Sequence, residues 1–161
     1  MTNKKTLFTF EIRSYQKKDK DQLVEIFYSA YSKQYTTQNI MKQLRFALSQ
    51  RNLIALVAER DQRLIGFAYG YELSKSRFSD LKISRPGNYL DNLAVKIRRK
   101  GMGRGLFREY EREAIKQGMK SIATWTEESN PAKKLYESEG FVPIKKGNKD
   151  SGSSILYLKR L

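Results

Sequence analysis

The 161-residue sequence contains no cysteine and no histidine. The missing cysteines exclude disulfide bonds and thiol nucleophiles, and the lack of both residue types excludes Cys/His zinc sites. Without an imidazole, a general base must come from another kind of side chain. Any catalysis by this chain therefore uses carboxylates, tyrosine, lysine, hydroxyl groups or backbone dipoles.

Long hydrophobic runs are also missing. The longest aliphatic stretch, residues 53–58, is far shorter than the ~20 apolar residues that cross a bilayer. The opening MTNKKTLFTF carries two lysines and no long apolar stretch, and the charged residues Glu11 and Arg13 come directly after it. We therefore expect no secretory signal and no membrane span, and we predict a cytoplasmic protein.

Acidic residues are few, since 17 Asp and Glu stand against 32 Lys and Arg, for a formal net charge of +15. Such an excess favours polyanionic partners, which include phosphate-rich cofactors, RNA and acidic proteins. No helix-turn-helix, zinc-finger or RNA-binding signature accompanies the charge. Net charge describes fields and solubility, so composition alone leaves the function open.

The chain has no internal repeat, linker or low-complexity tract, which predicts a single domain over residues 1–161. Hydrophobic periodicity and turn signals predict the order β, α, α, β, β, β, α, β, α, β, β, with a long polar loop at 74–87. The predicted strands are 7–15, 53–59, 63–73, 88–95, 121–126, 141–144 and 154–160, and the helices begin after Asp19, at Thr37, at the glycines of 101–105 and at Asn130. The apolar faces predicted for the first and third helices are Leu23, Ile26, Phe27 and Ala30, and Leu106, Phe107, Tyr110 and Ala114. Two late β-α-β units require crossover helices between parallel strands. We therefore expect an α/β (α+β) fold with a central mixed sheet and helices on both faces.

The segment LAVKIRRKGMGRGLF, residues 93–107, runs from a predicted strand through closely spaced glycines into a helix. Glycine lets a ligand approach the backbone closely, and the first turn of a helix offers unpaired N–H groups and the positive end of its dipole. Five basic residues and no acid lie between Lys96 and Arg104. The segment predicts a phosphate or pyrophosphate site, although it matches neither a Walker loop nor the strict GxGxxG fingerprint.

A second motif, NPAKKLYESEGFVPI, begins at Asn130, after the next predicted strand. Residues 98–103, RRKGMG, match the acyl-CoA loop pattern R/Q-x-x-G-x-G/A, and residues 130–141 match N-x-x-A/x-x-x-L-Y-x-x-x-G-F. The hairpin AERDQRLIGFAYGYE is also similar to a family feature. With these motifs the sequence resembles the GNAT superfamily of acetyl-CoA-dependent N-acetyltransferases. The resemblance runs from about residue 8 to residue 158 and is strongest over 91–144.

The resemblance implies a GNAT-like, mostly antiparallel twisted sheet of about seven strands. It also implies transfer of an acetyl group from acetyl-CoA, as co-substrate, directly to a primary amine in a ternary complex, with no metal. The motifs do not identify the acceptor. A homodimer and a contact with RNA or an acidic protein stay open.

The same resemblance assigns coenzyme-binding residues. The backbone of Leu93 and Val95 would bind the pantetheine arm, and Asn130 and Lys133 would contact the distal parts of the coenzyme. The pyrophosphate would lie against Arg98, Arg99, Lys100, Gly101, Met102, Gly103, Arg104 and Gly105. The turn between Val95 and these residues is shorter here than is usual in the family, so which basic side chain reaches the phosphates is open.

Tyr136 matches the family tyrosine near the thioester sulfur, which makes it the candidate general acid for the leaving thiolate. A thiol titrates at ~8.5 and a phenol at ~10, so Tyr136 can act by hydrogen bonding as well as by proton transfer. An alternative interpretation is a core tyrosine that packs the short helix.

Asp91 is the first candidate for the general base, because it lies at the strand position where several small-amine acetyltransferases of the family carry Glu or Asp. Strand alternation would place Asp91, Leu93 and Val95 on one side. Glu72 and Glu127, each at a predicted strand end, are the alternative bases. The resemblance makes the backbone N–H of Val95 the candidate donor to the developing oxyanion.

In the family, the acceptor pocket is built by segments that correspond to residues 19–50 and 74–87. Tyr28, Tyr31 and Tyr35 follow helical spacing and are candidates for its wall, although such spacing is also typical of packing. Arg77, Lys82 and Arg85 make the second segment basic, which favours an acidic peptide or an RNA-borne acceptor.

Three functions are consistent with the sequence. The first is acetylation of a primary amine on a peptide, protein or small metabolite. The second is acetylation of aminoacyl-tRNA, which the net charge of +15 motivates. The third is a binding module for CoA or nucleic acid without turnover.

Overall fold

The computed structural model describes residues 8–31, 35–74, 83, 86–149 and 152–161. Within these residues the elements follow the predicted order. They are β1 (Glu11–Ser14), α1 (Lys20–Tyr31), α2 (Thr37–Leu48), β2 (Ile54–Arg60), β3 (Arg63–Glu72), β4 (Gly87–Val95), α3 (Met102–Lys116), β5 (Ser121–Glu127), α4 (Ala132–Ser138), β6 (Val142–Lys149) and β7 (Gly152–Arg160). Most of the predicted loop at 74–87 lies outside the described residues.

The strands form one seven-stranded sheet in the order β1-β2-β3-β4-β5-β7-β6. Only β4 and β5 pair in parallel among the described strands, and α3 is the crossover between them. The second late β-α-β unit also joins two strands that run in the same direction, as predicted, but β5 and β6 are not neighbours in the sheet. β7 lies between β5 and β6 and pairs antiparallel with both. The predicted mixed, mostly antiparallel sheet is confirmed.

Two hydrophobic cores cover the two faces of this sheet, which confirms helices on both sides. On one face, α1 and α2 bury Leu23, Phe27 and Leu44 against β2 and β3. On the other face, α3 buries the predicted set Leu106, Phe107, Tyr110 and Ala114. One residue of the predicted α1 face was assigned wrongly, since Ala30 near the end of the helix is exposed.

β6 is longer than predicted, since it extends through Gly147 and Asn148, which are typical turn residues. A Cβ at Gly147 would lie 3.1 and 3.2 Å from ring atoms of Trp125. Gly147 therefore allows the indole of Trp125 to approach the strand closely, and it does not form a turn. The prediction ended this strand at residue 144, and the contact between Gly147 and a distant side chain could not be inferred from local sequence.

A β-bulge lies in β4 at Asp91. Tyr69 of β3 pairs with Asn92 and Gly70 pairs with Leu90, which makes Asp91 the extra residue of β4. A Cβ at Gly70 would overlap the Tyr110 hydroxyl and the Tyr89 carbonyl oxygen, so the bulge depends on glycine. Alternation cannot be counted across a bulge. The expectation that Asp91 shares a side with Leu93 and Val95 therefore has no support from strand geometry.

Asp19 connects β1 to the start of α1 and carries a testable pH dependence. Its buried carboxylate accepts hydrogen bonds from Arg13 Nη1 (2.7 Å), Arg13 Nη2 (2.9 Å) and the backbone N–H of Gln16 (2.8 Å). The hydrogen bonds from Arg13 hold the pKa of Asp19 below its ordinary value, although burial opposes them. Stability from this group is therefore present above the unfolded pKa of ~3.9 and is lost as pH falls through the folded pKa.

We expect Asp19→Asn to lower the free energy of unfolding by about 2 kcal/mol at pH 7, because it leaves Arg13 with one carboxylate fewer. Urea denaturation at pH 7 and pH 3 checks this, and the gap to wild type should shrink at pH 3. Asp61→Asn is the control, since Asp61 is 88% exposed and its φ of 50° suits asparagine. A gap that is the same at both pH values would contradict the ion-pair explanation.

Candidate active site

The candidate site lies in the opening where β4 and β5 separate from each other. The two strands pair over three residues each, ending at Tyr89 and Ala123, while β4 continues to Val95 and β5 to Glu127. At the first step beyond the pairing, Thr124 Oγ1 donates a 2.9 Å hydrogen bond to the carbonyl oxygen of Leu90. Further along, no described strand pairs with the facing edges of β4 and β5. A strand edge without a neighbouring strand can bind a ligand through its backbone groups.

The N-terminus of α3 lies at one end of this opening and lacks a side-chain cap. The residue that precedes the helix is Gly101, with φ of 76°, and it makes no capping hydrogen bond. The first helical bond runs from Gly105 N to Gly101 O at 2.9 Å. Within the described chain, the N–H groups of Met102, Gly103 and Arg104 have no backbone acceptor. Such groups at the positive end of a helix dipole form an anion site.

The basic side chains next to this helix end differ in their partners. Arg98, Arg99 and Lys100 are exposed, and no described residue forms an ion pair with them. Arg104 instead points to α4, where its Nε lies 2.8 Å from Glu139 Oε1 and its Nη2 donates to Ser138 Oγ at 3.3 Å. The side chain predicted to bind phosphate at position 104 is thus already paired, and only its N–H remains at the site.

The predicted phosphate ligands in the first turn of α3 also differ in the side of the helix on which they lie. A Cβ at Gly103 would make ordinary contacts with Leu135 (3.5 Å) and Leu93 (3.7 Å), so this glycine lies between α4 and β4 at the opening. A Cβ at Gly105 would lie 3.3 Å from Ile12 and 3.4 Å from Phe10. Gly105 therefore packs against the β1 side of the sheet and does not face the opening. Met102 is buried in the core, so it too offers only its N–H.

Leu93 and Val95 of β4 are partly exposed and lie on the α3 side of the sheet. They pair with Ala68 and Gly66 of β3, while no described strand pairs with the other edge of β4 at this level. Their positions agree with the predicted contact to an extended ligand arm.

The second motif forms α4 and the residues before it. Asn130 Oδ1 accepts a 2.9 Å hydrogen bond from the backbone N–H of Ala132, the first residue of α4, so this predicted coenzyme ligand has a partner within its own segment. Lys133 is partly exposed in the first turn. The structure thus gives Asn130 a structural role. The pKa of Glu128 is held below its ordinary value, mainly by a hydrogen bond with Ser153, and the charge of Lys133 contributes to this shift.

Tyr136 is buried on the inner side of α4, with its ring 5.4 Å from that of Phe141 and 6.3 Å from that of Tyr157. Burial raises the pKa of Tyr136 to about 12, and a hydrogen bond with the Thr124 side chain opposes the shift. The predicted tyrosine therefore reaches the point where β4 and β5 separate. Thr124 was missed, although a threonine within a buried strand was a usable signal.

The candidate bases lie in different places. Glu72 pairs in register with Asn88 at the start of β4, and its Oε2 accepts from Asn52 Nδ2 at 2.7 Å, so it is remote from Val95. Asp91 and Glu127 both lie near Tyr31, since each carboxylate contributes to the raised pKa of Tyr31.

Aromatic residues line the α1 side of the opening. The Tyr31 ring lies 5.0 Å from Phe27 and 6.3 Å from Tyr35. Burial raises the pKa of Tyr31, and the neighbouring groups Tyr136, Tyr35, Asp91 and Glu127 raise it further. Tyr69 was not predicted; its hydroxyl accepts a 3.1 Å hydrogen bond from Asn92 Nδ2.

The other predicted acceptor residues do not join this group. Tyr28 is 48% exposed and stays outside the aromatic cluster. Arg77, Lys82 and Arg85 lie outside the described residues. In the described part of the chain, no helix combines the length and the apolar character needed to cross a membrane.

Solved structures with the same fold include several acetyltransferases. PaiA N-acetyltransferase from Thermoplasma acidophilum, in complex with coenzyme A, has a TM-score of 0.69 and 19% identity, and the match covers 96% of this chain and 100% of that chain. Ribosomal-protein-alanine N-acetyltransferase from Brucella melitensis has a TM-score of 0.75 and 23% identity, with coverage of 94% and 99%. An aminoglycoside 6'-N-acetyltransferase complexed with coenzyme A has a TM-score of 0.76 and 16% identity, with coverage of 93% and 96%. At such identities the likeness shows the fold.

A comparison with curated proteins finds no significant match. The profile of the Acetyltransferase (GNAT) family matches residues 20–141, which is well over half of the chain and spans α1 to the end of the second motif. The predicted resemblance is thereby confirmed, and the chain belongs to the GNAT acetyltransferase family.

Proposed function

We propose that this acetyltransferase moves an acetyl group from acetyl-CoA to the primary amine of a small or peptide-borne acceptor. The observation that carries the proposal is the opening between β4 and β5. It connects the uncapped N-terminus of α3 to Tyr136 of α4. A ligand with phosphates at one end and a thioester at the end of an extended arm would place the phosphates at α3 and the thioester at Tyr136.

The coenzyme's phosphates would bind the N–H groups in the first turn of α3 and the side chains of Arg98, Arg99 and Lys100, for which the described part of the chain provides no partner. The Cβ position of Gly103 lies 3.5 Å from Leu135 and 3.7 Å from Leu93, so the first turn of α3 lies close to both α4 and β4. Two of the similar solved structures contain coenzyme A, which supports this choice of ligand.

In the reaction, the amine nitrogen forms a bond to the acetyl carbonyl carbon, and the bond from that carbon to sulfur breaks. An alkyl ammonium must first lose a proton, for which Asp91 is the leading base and Glu127 the alternative. The backbone N–H of Val95 is the candidate donor to the carbonyl oxygen as negative charge develops there. The hydroxyl of Tyr136 would donate a hydrogen bond to the leaving thiolate.

Tyr136 acts mainly as a hydrogen-bond donor in this proposal. Its pKa of about 12 lies above the ~8.5 of a free thiol, so complete transfer of its proton to the thiolate is uphill. The hydrogen bond itself stabilises charge on sulfur without that transfer.

The surroundings favour a cationic acceptor over an anionic one. The carboxylates of Asp91 and Glu127 contribute to the raised pKa of Tyr31, and Asp91 also contributes to that of Tyr69, so carboxylates and aromatic rings lie near one another here. Aromatic faces and carboxylates attract an ammonium group and repel a phosphate. Three residues of the basic surplus, those at 98–100, would lie on the coenzyme side.

The test is release of free thiol from acetyl-CoA, detected with a thiol reagent. The chain has no cysteine, so the protein contributes no background. Small amines, peptides and aminoacyl-tRNA are supplied separately. Turnover with an amine or peptide supports the proposal, turnover with aminoacyl-tRNA alone supports the tRNA alternative, and CoA binding without turnover in any arm supports a binding module.

The two remaining bases are separated by a pair of amide variants. We expect Asp91→Asn to lower kcat about 30-fold, below the 10²–10⁴ range for direct proton removal because a route through solvent water remains. Glu127→Gln should change kcat less than threefold. Steady-state kinetics with one amine acceptor measures both, and a reversed order of the two effects would assign the base to Glu127.

A further inference from the structure

Glu139, directly after α4, lies between the coenzyme-binding end of α3 and the residue proposed to stabilise the thiolate. Its side chain is only 7% exposed. Arg104 Nε lies 2.8 Å from Glu139 Oε1, and Arg108 Nε donates to Glu139 Oε2 at 3.1 Å. Two arginines one helical turn apart on α3 therefore hold one carboxylate that belongs to α4.

The backbone of Glu139 is hydrogen-bonded directly to the backbone of Tyr136. Its N–H donates to the Tyr136 carbonyl oxygen at 3.1 Å and to the Leu135 carbonyl oxygen at 3.0 Å. The N–H of Phe141 also donates to the Tyr136 carbonyl oxygen, at 3.0 Å. A movement of Glu139 therefore acts on the backbone of Tyr136 directly, through the hydrogen bond between the Glu139 N–H and the Tyr136 carbonyl oxygen.

Local helix energetics do not account for these charges. A carboxylate at the C-terminal end of a helix and a guanidinium in the first turn of a helix both oppose the helix dipole. Glu139 is at the unfavourable end of α4, and Arg104 is at the unfavourable end of α3. Each charge becomes favourable only through the other, because the ion pair brings a negative charge to the N-terminus of α3 and a positive charge to the C-terminus of α4.

We infer that Glu139 is a positioning residue, which couples the phosphate-binding end of α3 to the placement of Tyr136. This inference rests on the proposed function for the role of Tyr136. It also assigns Arg104 to the connection between the helices, so that the residues of 98–100 carry the coenzyme's charge instead.

The inference predicts opposite effects on coenzyme affinity and on rate. Glu139→Gln removes a negative charge beside the anion site, which should tighten CoA binding about threefold at low salt and leave no difference at high salt. The same change weakens the ion pairs that connect the end of α4 to α3. Because Tyr136 is then held less firmly, we expect kcat to fall about tenfold. Amide hydrogens of α4 should exchange about tenfold faster in the free protein, without a change elsewhere.

Glu113→Gln is the matched control, because Glu113 forms an exposed ion pair with Lys116 on the same helix. It lies 11 residues beyond Met102, which is roughly 16 Å along α3. Removing this carboxylate changes the net charge equally and should leave kcat, Kd and α4 exchange as in wild type. Arg108→Gln is a second test that keeps Arg104 in place, and it should reproduce the Glu139→Gln effects on α4 exchange and kcat at about half the size.

Three measurements decide the inference: calorimetric Kd for CoA, kcat, and hydrogen exchange of residues 132–141. Wild-type exchange of α4 in Glu139→Gln would overturn it. A parallel loss of kcat, CoA affinity and melting temperature would also overturn it, since that pattern marks general destabilisation. If wild-type protein transferred no acetyl group, the proposed function would fail, whereas exchange and CoA affinity would still report whether Glu139 connects the two helices.

Discussion

Gly103→Glu is expected to raise the Kd for acetyl-CoA at least 100-fold, which corresponds to about 2.7 kcal/mol of binding free energy. Gly103 lies between Leu93 and Leu135 in the first turn of α3. A glutamate there places a carboxylate beside the free N–H groups, where it occupies the anion site from within and repels the phosphates.

Two further substitutions at this position separate charge from size. Gly103→Gln has nearly the same volume without the charge, so we expect about a tenfold loss of affinity from steric blockage alone. Gly103→Ala should bind within threefold of wild type, since its Cβ would make only ordinary contacts. An equal Kd for the glutamate variant and wild type would remove the α3 N-terminus from the coenzyme site.

The folded state itself should tolerate the Gly103→Glu change. An acidic residue in the first turn of a helix contributes about 0.3–1 kcal/mol of stability, and replacing glycine adds helix propensity. We therefore expect a melting temperature equal to or above that of wild type. Calorimetry measures acetyl-CoA binding and thermal denaturation measures stability, both on the same sample. Loss of binding with retained stability would identify a local effect on the site.

Tyr136→Phe should lower kcat about 100-fold while the Kd for acetyl-CoA stays within threefold of wild type. The ring remains to pack against Phe141, so the change removes only the hydroxyl that would stabilise the thiolate. Loss of its hydrogen bond with Thr124 should cost about 1 kcal/mol of stability.

Tyr157→Phe is the matched control for this experiment. Tyr157 also has a pKa of about 12, raised mainly by burial, and its ring lies 6.3 Å from Tyr136. Its hydroxyl, however, donates to Glu137 Oε1 at 2.8 Å and takes no part in the proposed reaction. Comparable losses of kcat in the two variants would indicate a packing role for Tyr136.

The pH dependence of the Tyr136 effect is set by the sign of its pKa shift. Because the folded pKa is about 12 and the unfolded value ~10, the phenol is neutral throughout the neutral range. The loss of rate in Tyr136→Phe should therefore be constant between pH 6 and pH 9. The stability that the neutral phenol contributes is present below the unfolded pKa and is lost only as pH rises through the folded pKa.

Much of the fold and part of the site were accessible from local sequence patterns. The apolar spacing of α3 predicted its buried face residue by residue, because one helix face repeats with a fixed period. The glycines and basic residues before it predicted an anion site for the same local reason, and the structure leaves the N–H groups of its first turn unpaired.

Other assignments failed or stayed open because they depend on distant partners. Gly105 and Arg104 were grouped with the phosphate ligands by their position in the motif. The structure packs Gly105 against Ile12 and pairs Arg104 with Glu139, 35 residues further along the chain. The bulge at Asp91 is likewise invisible in the pattern, since it is defined by the register with β3.

By itself, the sequence determined the order of the elements, the faces of the main helices, the chemistry available without cysteine or histidine, and the family resemblance. These properties depend on residue type and short-range periodicity. Only the tertiary structure decided where β4 and β5 separate, which basic side chains remain unpaired, and that Glu139 joins α3 to α4. The physical reason is that strand register and ion pairing are set by contacts between residues far apart in the chain, for which local spacing carries no information.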